Sequence, residues 1–209
     1  DMFIKLGIKY GSDESIELSD LLGKFIRNIA IEESINLVDK YGVYPEYEFD
    51  YIKDSSYFKS LPEYLQEGIK TKGMANSHVL SIAPTGSIST MFGVSGGIEP
   101  IFANSFTRTT KSLATEGDVE YKVYTEVIQE LMDIKGLSKE SELPDYCITS
   151  HDIDPQDRIR VQAVWQKYID SAISSTINLK EDTTVKAIED IYIQSYASGL
   201  KGVTVFRDN

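Results

Sequence analysis

The sequence predicts an α/β fold in which parallel strands are joined by crossover helices, as an open sheet or a barrel, and two stretches carry that prediction. Towards the C-terminus, Ile173–Leu179 reads as a strand, residues 183–198 as a helix and Gly202–Phe206 as a second strand. A strand-helix-strand unit of this kind pairs its strands in parallel with a right-handed crossover. Near the middle, the apolar run from His78 to Ala83 ends at Pro84 and passes into Thr85-Gly86-Ser87-Ile88-Ser89, a short buried strand opening into a turn of small polar residues.

The elements follow in chain order. Ser12 before Asp13 and Glu14 offers a helix cap with acid in the first turn. Apolar residues then recur at Leu18, Leu21, Leu22, Phe25, Ile26 and Ile29 as far as the stop at Gly42, so a helix is expected over 13–41 with that stripe facing the core. The aromatic, acidic stretch 43–60 has no period and reads as a long packed loop, followed by a short helix over 61–70. After the strand at 78–83, Thr90-Met91-Phe92 fits a helical turn. The Gly-rich turn Ser95-Gly96-Gly97 leads through Ile98-Glu99-Pro100 to a strand-like run from Ile101 to Thr109. Val119, Val123, Val127 and Leu131 give helical spacing over 119–134. Asp154-Pro155-Gln156-Asp157 is a helix start, with Asp154 as cap and proline at the first helical position, and Val161, Val164, Trp165 and Tyr168 form its buried stripe. In the C-terminal unit the helix stripe is Val185, Ile188, Ile191, Tyr192 and Ser195, and Gly199 is its stop.

The 209 residues, 41% hydrophobic and 26% charged, can bury a sizeable core, and residues 1–209 are expected to form a single domain or part of a larger one. The sequence starts at Asp1-Met2-Phe3, close to an amphipathic helix, and stops at Arg207-Asp208-Asn209 directly after a strand, as a fragment of a larger chain does. A net charge of −12 excludes a surface that wraps nucleic acid, which needs many Lys and Arg against phosphates. No apolar run long enough to cross a membrane is present. The single cysteine, Cys147, forms no internal disulfide and fits a reducing, cytoplasmic setting. Two histidines, His78 and His151, are too few for a zinc site.

An acidic chain that binds an anion must do so locally, and Pro84-Thr85-Gly86-Ser87-Ile88 is where that is feasible. Small residues let a ligand approach the backbone, and successive amide N–H groups make an anion cradle that needs no Lys or Arg. The hydroxyls of Thr85, Ser87 and Ser89 are further candidate donors. The pattern is neither a Walker loop nor a dinucleotide fingerprint, so a purely structural turn stays open. His151-Asp152 is either an acid/base pair or a satisfied loop histidine. Glu99 either positions a ligand hydroxyl or makes a structural hydrogen bond. Cys147 has no base or cation nearby in sequence and reads as a buried, inert thiol, and Trp165 reads as core.

Two neighbouring segments, Ser81-Ile82-Ala83-Pro84-Thr85-Gly86-Ser87-Ile88-Ser89 and Gly93-Val94-Ser95-Gly96-Gly97-Ile98-Glu99-Pro100-Ile101-Phe102, closely resemble the phosphate-loop region of ribonucleotide reductase large chains. The likeness continues in order through Ser150–Ile153, Gln162–Asp170, Ser174–Leu179 and Gly199–Asp208. The resemblance implies a ten-stranded α/β barrel of which this chain is the second half, with Pro84, Thr85, Gly86, Ser87 and Ile88 binding the substrate's phosphates. It implies reduction of a ribonucleoside di- or triphosphate by a cysteine thiyl radical, with a cysteine pair as electron source. The radical cysteine and the redox pair have no counterpart here, so no catalytic residue is assigned and the fragment alone is expected to lack turnover. The family often has Arg-Asn before the phosphate-loop strand, where this chain has Ala75-Asn76.

Two-subunit members carry adjacent tyrosines on the final strand as a radical relay, and this chain has Thr204-Val205 at those positions as aligned. That departure, with the Gln162–Asp170 helix and the Lys201–Asp208 ending, resembles the adenosylcobalamin-dependent class. The resemblance therefore implies adenosylcobalamin as the cofactor of the full enzyme. It also implies a dithiol reductant such as thioredoxin and the remaining half of the barrel as partners. The alternatives are a large-subunit fragment of the oxygen-dependent class, or a non-catalytic nucleotide-binding or regulatory module on the same scaffold.

Overall fold

The computed structural model describes residues 1–111 and 118–208; Asn209, the last residue of the expected domain, lies outside them. The chain opens with α1 (Met2–Leu6) and the long α2 (Asp13–Asn36), whose cap Ser12 accepts from the Ser15 amide at 3.2 Å. The helix expected over 13–41 is in two pieces, because Leu37 ends α2 and α3 (Val38–Tyr41) follows, closed by Gly42. The expected loop at 43–60 contains two single turns, α4 (Phe49–Ile52) and α5 (Ser56–Lys59), before α6 (Glu63–Lys72). Phe58, Leu61, Leu65 and Ile69 from this stretch pack against Ile31 and Ile35 of α2 as one core cluster.

The buried face of α2 is not the one the apolar stripe predicts. Ser15, Ser19, Gly23, Arg27, Ile31 and Ile35, spaced by four, are buried, whereas Leu21, Phe25 and Ile29 are exposed. The small residues of this ridge let α9 (Pro155–Gln166) and the tyrosine beyond it come close: a Cβ on Gly23 would stand 2.5 Å from Tyr168 Cδ2. Arg27, next along the ridge, is buried between the rings of Tyr57 and Tyr168 and donates to Ser60 Oγ at 3.0 Å.

The sheet content also differs from the expected spans. After α7 (Gly86–Phe92), β1 (Ser105–Lys111) pairs antiparallel with β2 (Asp118–Tyr124), so residues 119–124 are strand and only α8 (Glu126–Lys135) is helix. Val119 and Val123 are four apart, an even number, so their spacing satisfies the two-residue period of a strand as well as a helical turn. Met132, Val127 and Ile128 of α8 close a second cluster with Ile4, Ile101 and Cys147, and a 3₁₀ turn over Glu140–Glu142 follows.

The C-terminal unit has the expected strand-helix-strand order, but its first strand is shorter than Ile173–Leu179 and two residues of the expected helix stripe, Val185 and Tyr192, are exposed. Asp154 caps α9 by accepting from the Gln156 amide at 2.8 Å, and Pro155 opens it. β3 (Thr176–Leu179) runs through α10 (Val185–Ala197, capped by Thr184) into β4 (Thr204–Arg207), and the two strands are parallel with Ile177 opposite Val205. Ile159, Ile177, Leu179 and Ile191 are the buried centre between helices and strands. On the other side of β3, residues 78–83 do not form the expected buried strand: they make a single parallel bridge, Ile82 to Ile173, with Ser81 and Ala83 exposed. Among the described residues no helix is long and apolar enough to cross a membrane.

Candidate functional site

The turn at Pro84–Ile88 is held in place by the segment before it. The Asp170 carboxylate accepts the amides of Val79 (2.7 Å) and Leu80 (2.9 Å), and the amides of Ser171 and Ser174 donate to the carbonyls of Leu80 and Ile82. The approach to the turn is therefore fixed by a side chain and by the chain leading into β3, with no regular strand pairing. Thr85 then adopts φ 51° and ψ 24°, a left-handed conformation unusual for a β-branched residue and the only positive φ at a non-glycine among the described residues. Gly86 begins α7 directly after it.

This sequence of conformations points successive amides the same way. The helical ladder begins with Ser89, whose amide donates to the Thr85 carbonyl at 2.7 Å. The amides of Gly86, Ser87 and Ile88 precede it and have no helical acceptor. All three residues are exposed, and nothing lies within 4 Å of where a Gly86 Cβ would be. Pro84 contributes a rigid φ and no amide hydrogen. The hydroxyls divide: those of Ser89 and Thr90 turn inward to the Gly86 carbonyl at 2.9 Å each, Thr85 Oγ1 accepts from the Gly97 amide at 3.1 Å, and Ser87 stays exposed. Ser89, a candidate donor on sequence grounds, is thus committed to the turn itself.

The second Gly-rich turn lies against the first. A Cβ on Gly96 would stand 2.9 Å from the Pro84 carbonyl oxygen, and one on Gly97, which sits at φ 50°, would stand 3.3 Å from that of Ala83; glycine suits both positions. Thr85 and Gly97 help to line a cavity of about 650 Å³ that has Tyr10, Ile26, Ile98 and Trp165 among its largely apolar walls. Glu99 also borders it, and its Oε1 accepts the Thr176 amide at 2.6 Å while Arg158 Nη2 stands 3.7 Å away. Of the two roles open to Glu99, the structural hydrogen bond is present. Burial pushes the Tyr10 phenol up, only partly opposed by Arg158, so it stays protonated and donates to the Ile98 carbonyl at 2.9 Å.

Of the other sequence candidates, His151, Asp152 and Cys147 do not line this cavity. His151 stands edge-on to Phe102 with Nδ1 3.5 Å from Asp208, while Asp152 accepts from the Thr149 hydroxyl, so the two do not form an acid/base pair. Cys147 is buried in the α8 cluster, and burial pushes its thiol up to about 11. Trp165 is half-buried and lines the cavity. Sequence reasoning did not single out Tyr10, Arg158 or Asp170. Arg158 carries one signal: it is a charged residue four places after a helix cap, on the side of α9 that also presents Val161 and Gln162.

A parallel strand-helix-strand unit with a small-residue turn before it in the chain defines a mixed α/β domain. The family model for the ribonucleotide reductase barrel domain matches residues 1–206, and the chain belongs to that family. It is 34% identical to the vitamin B12-dependent ribonucleoside-diphosphate reductase of Thermoplasma acidophilum, over 100% of this chain and 27% of that protein. The namesake from Mycobacterium tuberculosis is 29% identical over 99% of this chain and 30% of its own length. The ribonucleoside-diphosphate reductase subunit alpha of Helicobacter pylori is 30% identical over 96% and 26%. The chain thus spans under a third of the length of these relatives. Among solved structures, the class Id ribonucleotide reductase alpha subunit of Actinobacillus ureae superposes with a TM-score of 0.70 at 21% identity, over 99% of this chain and 37% of that one. That likeness shows the fold, a mixed α/β barrel-domain architecture.

Proposed function

We propose that this chain is the substrate-phosphate half of a ribonucleotide reductase catalytic barrel, completed to ten strands by the remaining half, and that Pro84, Thr85, Gly86, Ser87 and Ile88 hold the phosphates of a ribonucleotide. The observation that carries this reading is the run of three exposed residues, Gly86, Ser87 and Ile88, whose amides have no helical acceptor, directly after a left-handed Thr85 that lines the cavity. Backbone amides hold an anion without adding positive charge, which reconciles phosphate binding with a chain of net charge −12. A nucleotide whose tail sits on these amides has its remaining, less polar part in the apolar-walled space beside Thr85. The hydroxyl of Ser87 adds a donor at the rim. Di- and triphosphate tails both fit an open cradle of this kind, and the names of the relatives favour the diphosphate.

The proposed chemistry of the full-length protein, which family membership supports, is thiyl-radical reduction of the ribose, with radical and redox cysteines contributed from outside this chain and a dithiol reductant such as thioredoxin. Adenosylcobalamin is the proposed cofactor, on the likeness to vitamin B12-dependent relatives. The described residues do not by themselves make a site for it. The cavity beside Thr85 is mostly apolar, and neither His78 nor His151 lines it; the part proposed for this chain is nucleotide binding. The cytoplasm is the proposed location.

The test is a titration of cytidine diphosphate into the full-length protein and its Gly86→Pro variant. Proline is tolerated at a first helical position but removes the amide donor and disfavours the helical backbone of the residue before it. A loss of about tenfold or more in affinity is expected, because hydrogen bonds to a charged group contribute roughly 1.5–3 kcal/mol. Unchanged affinity overturns the reading. Anaerobic turnover with adenosylcobalamin and a dithiol, with no second subunit added, tests the cofactor.

A further inference from the structure

Behind the phosphate turn, side chains from separate parts of the fold converge on one point. Arg158 of α9 is buried and donates to Tyr10 Oη (3.0 Å), Ser175 Oγ (3.0 Å) and the Thr176 carbonyl (2.5 Å). The Glu99 carboxylate is 3.7 Å from the same guanidinium and accepts the Thr176 amide at 2.6 Å. Tyr10 passes the connection on by donating to the Ile98 carbonyl at 2.9 Å. Two consecutive residues of the second Gly-rich turn, Ile98 and Glu99, are therefore fastened to the start of β3 and to α9.

That turn in turn fixes the phosphate loop. The Gly97 amide donates to Thr85 Oγ1, and Gly96 runs against Pro84. Thr85 is held at φ 51°, and a strained backbone of that kind persists only where its surroundings over-determine it. The Gly97 bond is the side-chain contact that does so. A buried guanidinium is a weak source of stability compared with apolar packing, but it can fix one arrangement of its partners. Here each of its partners is a group that positions residues 98–99 or the start of β3.

We propose that Arg158, Glu99 and Tyr10 are positioning residues for nucleotide binding. They hold the turn at 96–99 so that Thr85 keeps its left-handed conformation and the amides of Gly86, Ser87 and Ile88 stay aligned on the phosphates. This inference rests on the phosphate reading of the loop.

The test uses the full-length reductase with cytidine diphosphate and four variants, Glu99→Ala, Glu99→Gln, Tyr10→Phe and Gly86→Pro. Glu99→Ala is expected to raise KM about tenfold with kcat within about twofold, the pattern of lost binding common to ground and transition states. Glu99→Gln keeps an oxygen for the Thr176 amide and is expected to return KM to within about threefold of the parent. Tyr10→Phe keeps its edge contact with Phe3 and is expected to raise KM about threefold; it carries the test should Glu99→Ala not fold. A raised KM for Gly86→Pro with unaltered KM in the Glu99 and Tyr10 variants overturns the clamp alone. An unaltered KM in Gly86→Pro overturns the phosphate reading and the clamp with it. Loss of active protein at constant KM means a merely structural role and also overturns the clamp.

Discussion

Removing the Asp170 carboxylate should release the approach to the Pro84–Ile88 turn while leaving the helices intact. Asp170 accepts the amides of Val79 at 2.7 Å and Leu80 at 2.9 Å, and no regular strand ladder holds residues 79–83 in its place. Hydrogen bonds to a charged acceptor contribute roughly 1.5–3 kcal/mol each. Both the carboxylate and the segment are half-buried, so the lower end applies and Asp170→Ala should cost about 3 kcal/mol locally. With each 1.4 kcal/mol worth a factor of ten, the amides of Val79 and Leu80 should exchange with solvent about a hundredfold faster. Asp170→Asn, which keeps one oxygen, should fall between. Hydrogen exchange on a peptide covering Val79 and Leu80 reads the effect, with peptides of α2 and α9 as internal references. Unaltered protection at Val79 and Leu80, or a loss spread evenly over α2 and α9, would refute the assignment of Asp170 as the local anchor.

Three further outcomes follow from the same coordinates. Burial holds the Cys147 thiol at about 11, against an ordinary value of 9.0, so at pH 8 only about one molecule in a thousand carries the thiolate; alkylation by iodoacetamide should be slow at pH 8 and climb with pH towards 11, and rapid labelling at pH 8 of folded protein would contradict the burial. The sign for stability is a loss with rising pH, since the unfolded thiol ionises first: the contribution is complete below about 9 and disappears through about 11. Gly96→Ala should push the second turn away from Pro84, where its Cβ would stand 2.9 Å from the carbonyl oxygen, and weaken cytidine diphosphate binding in equilibrium titration. Gly23→Ala should lower the unfolding midpoint, because overpacking against Tyr168 costs about 1–3 kcal/mol and the gain in helix propensity returns at most about 1 kcal/mol.

The order of the C-terminal unit was legible in the sequence because its signals agree: Asp154 caps, Gly199 stops, and the apolar runs before and after α10 are short. The helix α2 was legible as a helix but not in its orientation. Periodicity separates its two faces without saying which one packs, and here the small ridge through Ser15, Ser19 and Gly23 meets α9 while Leu21, Phe25 and Ile29 face outward. The strand at 118–124 was misread because a spacing of four suits both periods. At the candidate site, the Pro84–Ile88 turn was visible as a run of small residues after an apolar stretch. Its supports were not, since Tyr10, Asp170 and Arg158 stand far from it in sequence and are brought to it only by the folded chain.

The most direct test of the central claim is a structure of the full-length reductase with a ribonucleoside diphosphate bound. Phosphate oxygens are expected within about 3 Å of the amide nitrogens of Gly86, Ser87 and Ile88, with Thr85 still left-handed beneath them. A nucleotide whose phosphates are held only by Lys or Arg side chains elsewhere, with those three amides facing water, would contradict it.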